Sequence, residues 1–135
     1  MRPVAMGLIR ELMTVRPRTV HVGDSIVEAA KLMRGEDTGL APIVDGGRLV
    51  GVVTDRDIAV RVVATGKDPQ TTTVEEIASR DLVTIDPDQG LDEALRLMTK
   101  HQVWRLPVVE EDGSLIGIVA QADVARFMSS NGNSE

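Results

Sequence analysis

The chain has 135 residues, of which 42% are apolar and 27% charged, a mixture typical of a soluble globular protein. A net charge of −6 argues against a nucleic-acid-binding surface, and no basic stripe with interleaved aromatics occurs. The absence of cysteine excludes disulfides, thiolate metal sites and a cysteine nucleophile. Because no apolar run approaches the roughly 20 residues of a membrane helix, we expect a cytoplasmic protein with no membrane partner.

The first half of the chain predicts the element order β-α-β-β-α behind a short opening helix. Apolar spacing predicts that helix near residues 8–13, and β-branched alternation predicts a strand at 19–22. Ser25 and Glu28 have the spacing of a capping box, which opens an amphipathic helix. The remaining predicted elements are a hairpin of strands 40–44 and 49–53, a helix from Thr54 to about residue 64, and a linker at 65–72.

The same order recurs after the linker. Thr73 and Glu76 fit another capping box, which predicts a short helix. The elements predicted after it are a strand at 83–85, a helix at 91–98, a hairpin of strands 106–109 and 115–119, and a last helix opened by Asp123. Residues 129–135 are rich in Ser and Asn, and we expect a disordered tail there.

The two halves form an internal repeat, which we place at residues 8–64 and 73–128. Matching residues keep a constant offset, and one extra residue in the second hairpin turn shifts it by one. Examples are Thr19 with Thr84, Glu28 with Glu93, Met33 with Met98, Pro42 with Pro107, Gly51 with Gly117, and Asp57 with Asp123. Each repeat alone would leave one apolar sheet face open. We therefore expect face-to-face packing about a pseudo-twofold axis, with a cleft beside each strand-to-helix turn.

The turn at Thr54 carries the strongest chemical signal. Thr54 and Asp57 fit a capping box with aspartate in place of the usual glutamate. A helix start has unpaired backbone N–H groups and a partial positive charge, which predicts an anion site. The Asp57 carboxylate could accept from the two hydroxyls of a ribose, or could serve only as a cap. Arg56 opposes the helix dipole, which favours an anionic partner.

These features resemble a pair of cystathionine-β-synthase (CBS) domains over residues 8–128. The resemblance is carried by the repeated β-α-β-β-α order, Leu-Met before each hairpin, the Pro-Val/Ile-Val strands and the Thr-x-x-Asp-Ile segment. It implies an α+β fold of two CBS repeats, similar to stand-alone bacterial CBS-pair proteins. It also implies a homodimer with a non-catalytic regulatory role in signal transduction or stress response, acting on another protein.

The resemblance further implies an adenine-nucleotide site in the first cleft. In the family the helix-opening Thr or Ser holds phosphate, the Asp takes the ribose hydroxyls, and an Arg before Leu-Pro-Val reaches phosphate. Adenine lies against the first strand of the other repeat. The residues assigned in this way are Thr54, Asp55, Arg56, Asp57, Ser79, Val83, Arg105 and Pro107.

The second cleft is poorer, because Ala120 replaces the hydroxyl and Ala122 replaces the arginine. Its candidate residues are Thr14, Arg18, Thr19, Pro42 and Asp123. Losing one hydrogen bond to a charged group costs about 1.5–3 kcal/mol. We therefore expect one competent site and one weak or empty site.

The expected regulatory ligand is AMP, ADP or ATP, with NAD and S-adenosylmethionine as alternatives, since all contain adenine and ribose. The alternative function is a ligand-free CBS scaffold that acts only in protein assembly. No nucleophile–base pair is present, so we do not expect an enzyme. His21 and His101 fall at non-equivalent positions, and no metal site is expected. Trp104 is predicted to stack on a base, to line a dimer interface, or to be a packed edge residue.

Overall fold

The computed structural model describes residues 7–132. Its α-helices are α1 (Ile9–Leu12), α2 (Ile26–Glu36), α3 (Asp55–Ile58), α4 (Val74–Ile77), α5 (Leu91–His101) and α6 (Gln121–Gly132). Its strands are β1 (Thr14–Val15), β2 (Val20–His21), β3 (Leu40–Asp45), β4 (Arg48–Thr54), β5 (Arg105–Val109) and β6 (Leu115–Ala120). A π-helical turn at Ala59–Val63 continues α3, so the predicted helix after Thr54 is regular only in its first turn.

The described residues form two compact units, each with one three-stranded sheet. The Thr54 unit comprises residues 18–82, and its sheet has the order β2-β3-β4, with β2 parallel to β3 and β3 antiparallel to β4. The Asp123 unit comprises residues 7–17 and 83–132, and its sheet has the order β1-β6-β5 with antiparallel pairing throughout. The fold is therefore mixed α+β, as the sequence predicted.

The units do not coincide with the sequence repeats, because the repeats exchange their leading segments. β1 comes from the first repeat but pairs with β6 of the second, with Thr14 opposite Ile118. In the matching place of the Thr54 unit, Ser79 from the second repeat bridges Val52. The sequence did not predict β1 as a strand.

Each unit has its own aliphatic core, as expected for a chain with 1% aromatic residues. The exchanged helices contribute to these cores, since Ile9 of α1 is fully buried in the Asp123 unit and Val74 of α4 in the Thr54 unit. Within residues 7–132, no helix combines the length and the apolar character needed to span a membrane.

The two predicted hairpins are present, and the turn of the first shows why it forms. Gly46 and Gly47 both have positive φ, at 62° and 83°, a conformation that glycine adopts at little steric cost. By contrast, the strand predicted at 83–85 is reduced to a single parallel bridge between Ile85 and Val108.

Two further local predictions differ from the structure. Ser25 is the N-cap of α2, but the predicted capping box is wrong, since its side chain makes no capping hydrogen bond. The N–H groups of Ile26 and Val27 instead donate to the carbonyls of Thr72 and Pro69, at 2.9 and 3.3 Å. At the other end of the chain, α6 continues to residue 132, into the segment 129–135 predicted as a disordered tail. Residues 133–135 lie outside the described range.

Candidate functional site: two strand-to-helix turns

The turn between β4 and α3 is closed by two reciprocal hydrogen bonds. The Thr54 N–H donates to Asp57 Oδ2 at 2.9 Å, and the Asp57 N–H donates to Thr54 Oγ1 at 3.1 Å. This is the capping box that the sequence predicted, with aspartate in the place of glutamate. Both residues are half-buried, so the turn fixes their side chains while leaving them partly accessible.

Each of these side chains keeps one hydrogen-bonding function free. No donor among residues 7–132 reaches Asp57 Oδ1, and no acceptor in the same range takes the Thr54 hydroxyl hydrogen. A ligand hydroxyl could therefore donate to Asp57 Oδ1, and an anionic oxygen could accept from Thr54.

The expectation of unpaired backbone N–H groups at this helix start is wrong. The Asp55 N–H donates to the Gly39 carbonyl at 2.9 Å, and the Arg56 N–H donates to Asp55 Oδ1 at 2.8 Å. The N–H groups of Thr54 and Asp57 are occupied by the capping box. Anion binding at this turn would therefore depend on side chains, namely the Thr54 hydroxyl and the exposed Arg56 guanidinium.

Ser79 lies near this turn because the segment after α4 bridges to β4. The Ser79 N–H donates to the Val52 carbonyl at 2.9 Å, and the Val52 N–H donates to the Ser79 carbonyl at 3.1 Å. Gly51 permits this approach, since a methyl group there would lie 3.2 Å from the Ser79 carbonyl oxygen. The structure thus places Ser79 opposite Val52, which lies two positions before Thr54 on β4.

The short helix that precedes Ser79 is held by Glu76. The Thr73 N–H donates to Glu76 Oε2 at 3.0 Å, and the Thr73 hydroxyl donates to the same oxygen at 3.2 Å. These bonds, the backbone one first, lower the pKa of the Glu76 carboxyl below its ordinary value, and the charge of Lys67 adds a smaller effect. The glutamate half of the predicted capping box is therefore present.

The turn between β6 and α6 repeats this arrangement without the hydroxyl. The Ala120 N–H donates to Asp123 Oδ2 at 3.3 Å. Asp123 Oδ1 accepts a hydrogen bond from the Arg126 guanidinium, so each carboxylate oxygen accepts one hydrogen bond. Sequence reasoning missed Arg126, although its i,i+3 spacing from Asp123 on a helix is a local signal for an ion pair.

A cavity of about 310 Å³ lies beside the Asp123 turn. It is lined by Glu11, Leu12, Asp123, Arg126 and Phe127, all of the Asp123 unit. Thr14, a candidate for the second site, belongs to the same unit and is exposed on β1.

The other candidate residues divide between the units. Val83, Arg105 and Pro107 of the predicted first site lie in the Asp123 unit, and Arg18, Thr19 and Pro42 of the predicted second site lie in the Thr54 unit. Both assignments across the repeats stay predictions.

Arg105 itself is opposite Ala120 in the β5–β6 register. It lines a cavity of about 360 Å³ with Trp104, Ala120, Gln121, Ala122 and Ala125. The arginine assigned to the first cleft therefore lies beside the second turn.

The remaining single residues are exposed. Trp104 is 72% exposed, so its interpretation as a packed edge residue is wrong. His21 Nε2 lies 3.7 Å from Asp45 Oδ1 at the surface, and His101 is on the exposed last turn of α5. No group of three or more His, Cys, Asp or Glu residues that could hold a metal ion occurs between residues 7 and 132.

Two strand-to-helix turns with an acid at the same place, in two tandem repeats, define a pair of CBS domains. The sequence model of the CBS domain matches residues 9–64 and 74–130, and the chain belongs to this family. Among its relatives, the CBS domain-containing protein YhcV of Bacillus subtilis is 43% identical over 126 residues, covering 93% of this chain and 89% of that protein. Hypoxic response protein 1 of Mycobacterium tuberculosis is 39% identical over 124 residues, covering 91% and 86%.

Solved structures of CBS domain pairs share the fold. The structure of Hypoxic Response Protein I, with two coordinated zinc ions, has a TM-score of 0.82 at 39% identity, covering 89% of this chain and 98% of that one. The CBS domain pair of protein MJ0100, in complex with 5′-methylthioadenosine and S-adenosyl-L-methionine, has a TM-score of 0.81 at 33% identity, covering 93% and 98%. CBSX2 in complex with AMP has a TM-score of 0.80 at 25% identity, with the same coverage.

Proposed function

We propose that the protein is a non-catalytic regulatory module that binds an adenine nucleotide at the turn formed by Thr54 and Asp57. The observation that carries this proposal is the uncommitted oxygen of Asp57, held in place by the capping box beside a free Thr54 hydroxyl. A carboxylate oxygen suits the vicinal hydroxyls of ribose, and a hydroxyl donor suits a phosphate oxygen.

The ligands of two structural neighbours support this choice. AMP, S-adenosylmethionine and 5′-methylthioadenosine, bound by CBSX2 and by the MJ0100 pair, have adenosine in common and differ at the 5′ position. A site that recognises the part they share needs a ribose acceptor, and Asp57 supplies one. The 5′ group would then be selected by Thr54 and Arg56, and the Arg56 guanidinium favours a phosphate.

Thermal unfolding with AMP, ADP, ATP, NAD, S-adenosylmethionine and 5′-methylthioadenosine tests the proposal on the wild type and on Asp57→Ala. A ligand at a hundred times its dissociation constant adds about 2.7 kcal/mol of stability. We expect at least one of them to raise the melting temperature of the wild type and to lose that effect in Asp57→Ala. Asp123→Ala is the matched control and should keep it, because its carboxylate belongs to the other turn.

The same thermal unfolding experiment distinguishes recognition of the phosphate from recognition of the nucleoside. If Arg105 binds phosphate, Arg105→Ala weakens AMP binding and leaves 5′-methylthioadenosine, which has no phosphate, unchanged. An equal loss of both would contradict that role. No response to any of the six ligands would overturn the nucleotide proposal.

The second candidate function, a scaffold for assembly, is favoured by exposed apolar side chains. On the helix that follows Thr54, Val60 and Val63 are 48% and 68% exposed, and in the Asp123 unit Trp104 is also exposed. Such side chains suit an interface, and we propose a homodimer in either function. Light scattering that shows a dimer, with no thermal response to nucleotides, is the result that would favour the scaffold.

A further inference from the structure

The two turns differ in how their acids are occupied. Asp57 uses Oδ2 for the capping bond and leaves Oδ1 without a donor from residues 7–132. Asp123 uses Oδ2 in the same way, but its Oδ1 accepts from Arg126. The oxygen that is free for a ligand in the first turn is therefore covered in the second.

One residue accounts for this difference. Arg126 stands three residues after Asp123, and the residue three positions after Asp57 is Val60, which cannot donate a hydrogen bond. Neighbours at i,i+3 share one helix face, so the guanidinium reaches the carboxylate without any change in backbone. The Asp123 side chain is half-buried, like that of Asp57, and is 24% exposed, while the Arg126 side chain that pairs with it is 74% exposed.

Arg126 and Asp123 both line the cavity of about 310 Å³ beside the second turn. A ribose that entered this cavity would compete with the guanidinium for Oδ1. Ala120 has no hydroxyl, so the ligand gains no hydrogen bond there to offset the lost contact between Arg126 and Asp123.

We propose that Arg126 is the specificity-determining residue that closes the Asp123 turn to nucleosides, by occupying the carboxylate oxygen that would accept from ribose. This inference rests on the proposed nucleotide site at Thr54 and Asp57. It explains why a chain that keeps the acid in both repeats would hold ligand at only one.

Calorimetric titration with 5′-methylthioadenosine, and in parallel with AMP, tests the inference on four proteins: the wild type, Ala120→Thr, Arg126→Val and the double variant. The double variant gives the second turn the Thr, Asp and Val of the first. We expect one site per chain in the wild type and in Ala120→Thr, a weak second site in Arg126→Val, and two sites within about tenfold of each other in the double variant. A fifth protein, Arg126→Lys, keeps the positive charge and should have one site.

The outcomes separate the two proposals. Two sites in Ala120→Thr alone, or only one in a double variant that melts as a folded protein, would overturn the role of Arg126 and leave the first site standing. Two equal sites in the wild type would do the same. If neither probe bound any of the four proteins, the nucleotide site itself would be refuted and the Arg126 inference would fall with it.

Discussion

At the residue scale, acids three positions into a helix do two different things in this protein. Glu76 accepts both bonds that Thr73 donates, to one carboxylate oxygen, and fixes α4. Asp57 fixes its turn with one oxygen and keeps the other available. Both acids leave one carboxylate oxygen without a donor from residues 7–132, so the difference lies in the threonine: the Thr73 hydroxyl donates to Glu76, whereas the Thr54 hydroxyl only accepts, from the Asp57 N–H, and keeps its hydrogen for a ligand.

The capping role of Glu76 predicts a pH dependence. Because hydrogen bonds from Thr73 lower its pKa in the folded state, the ionised carboxylate stabilises the fold above its ordinary pKa, and this contribution is lost as the pH falls through the lowered value. We expect Glu76→Gln to be less stable than the wild type at neutral pH, with the difference shrinking in acid. Chemical denaturation between neutral pH and the acid range measures it.

Glu111→Gln is the control for this series, since it removes the same charge from an exposed residue in the turn between β5 and β6. A stability difference between Glu76→Gln and the wild type that stayed constant with pH would show that the effect is not one of ionisation.

At the element scale, the close approach of the exchanged segments to the sheets depends on two glycines. A methyl group at Gly117 of β6 would lie 3.0 Å from the Thr14 carbonyl oxygen and closer to Met13. At the matching Gly51 of β4, it would lie 3.1 Å from the Ala78 Cβ. Neither glycine has a positive φ, so it is the space, and not the backbone conformation, that requires glycine here.

We therefore expect Gly117→Ala to destabilise the protein by about 1–3 kcal/mol, the usual range for overpacking. Gly51→Ala should cost less, because its contacts are looser. Gly23→Ala is the control, since nothing lies within 4 Å of its added methyl. Urea denaturation measures the free energy of unfolding of the three variants. Equal losses of stability at positions 23 and 117 would contradict this account of β1 pairing.

At the scale of the whole molecule, sequence neighbours do not share a core. Ile9 stands eleven residues before β2 in the chain, yet it is buried in the Asp123 unit with residues beyond position 83. Val74 has the equivalent place in the other repeat and is buried in the Thr54 unit. Residues 7–17 therefore matter to the stability of the second repeat.

This exchange predicts where the effects of two matched variants appear. Ile9→Ala leaves a cavity in the Asp123 unit, typically costing about 2–5 kcal/mol, and should speed amide hydrogen exchange mainly in residues 83–132. Val74→Ala should act mainly on residues 18–82. If Ile9→Ala loosened residues 18–64 instead, each repeat would be stabilised by its own leading helix and the exchange would be refuted.

Much of this protein could be read from short stretches of sequence. The hairpin turns and the capping box of Thr54 and Asp57 follow from residues that interact within a few positions of each other, and the two repeats follow from matching residues at a constant offset. The contact between Arg126 and Asp123 is also local, with i,i+3 spacing, and could have been predicted from the sequence. Signals of this range are encoded in neighbouring side chains, so no knowledge of the rest of the fold is needed.

The sequence alone could not decide which partners the backbone would find at a distance. The pairing of Thr14 with Ile118, the bridge of Ser79 to Val52, and the donation of α2 N–H groups to Thr72 and Pro69 all join distant segments. Every open strand edge offers the same N–H and C=O groups, so no side-chain pattern marks the edge that a short strand will join. Only the packing of the two cores selects among these edges, and that choice pairs Ser79 with Val52, two positions before Thr54.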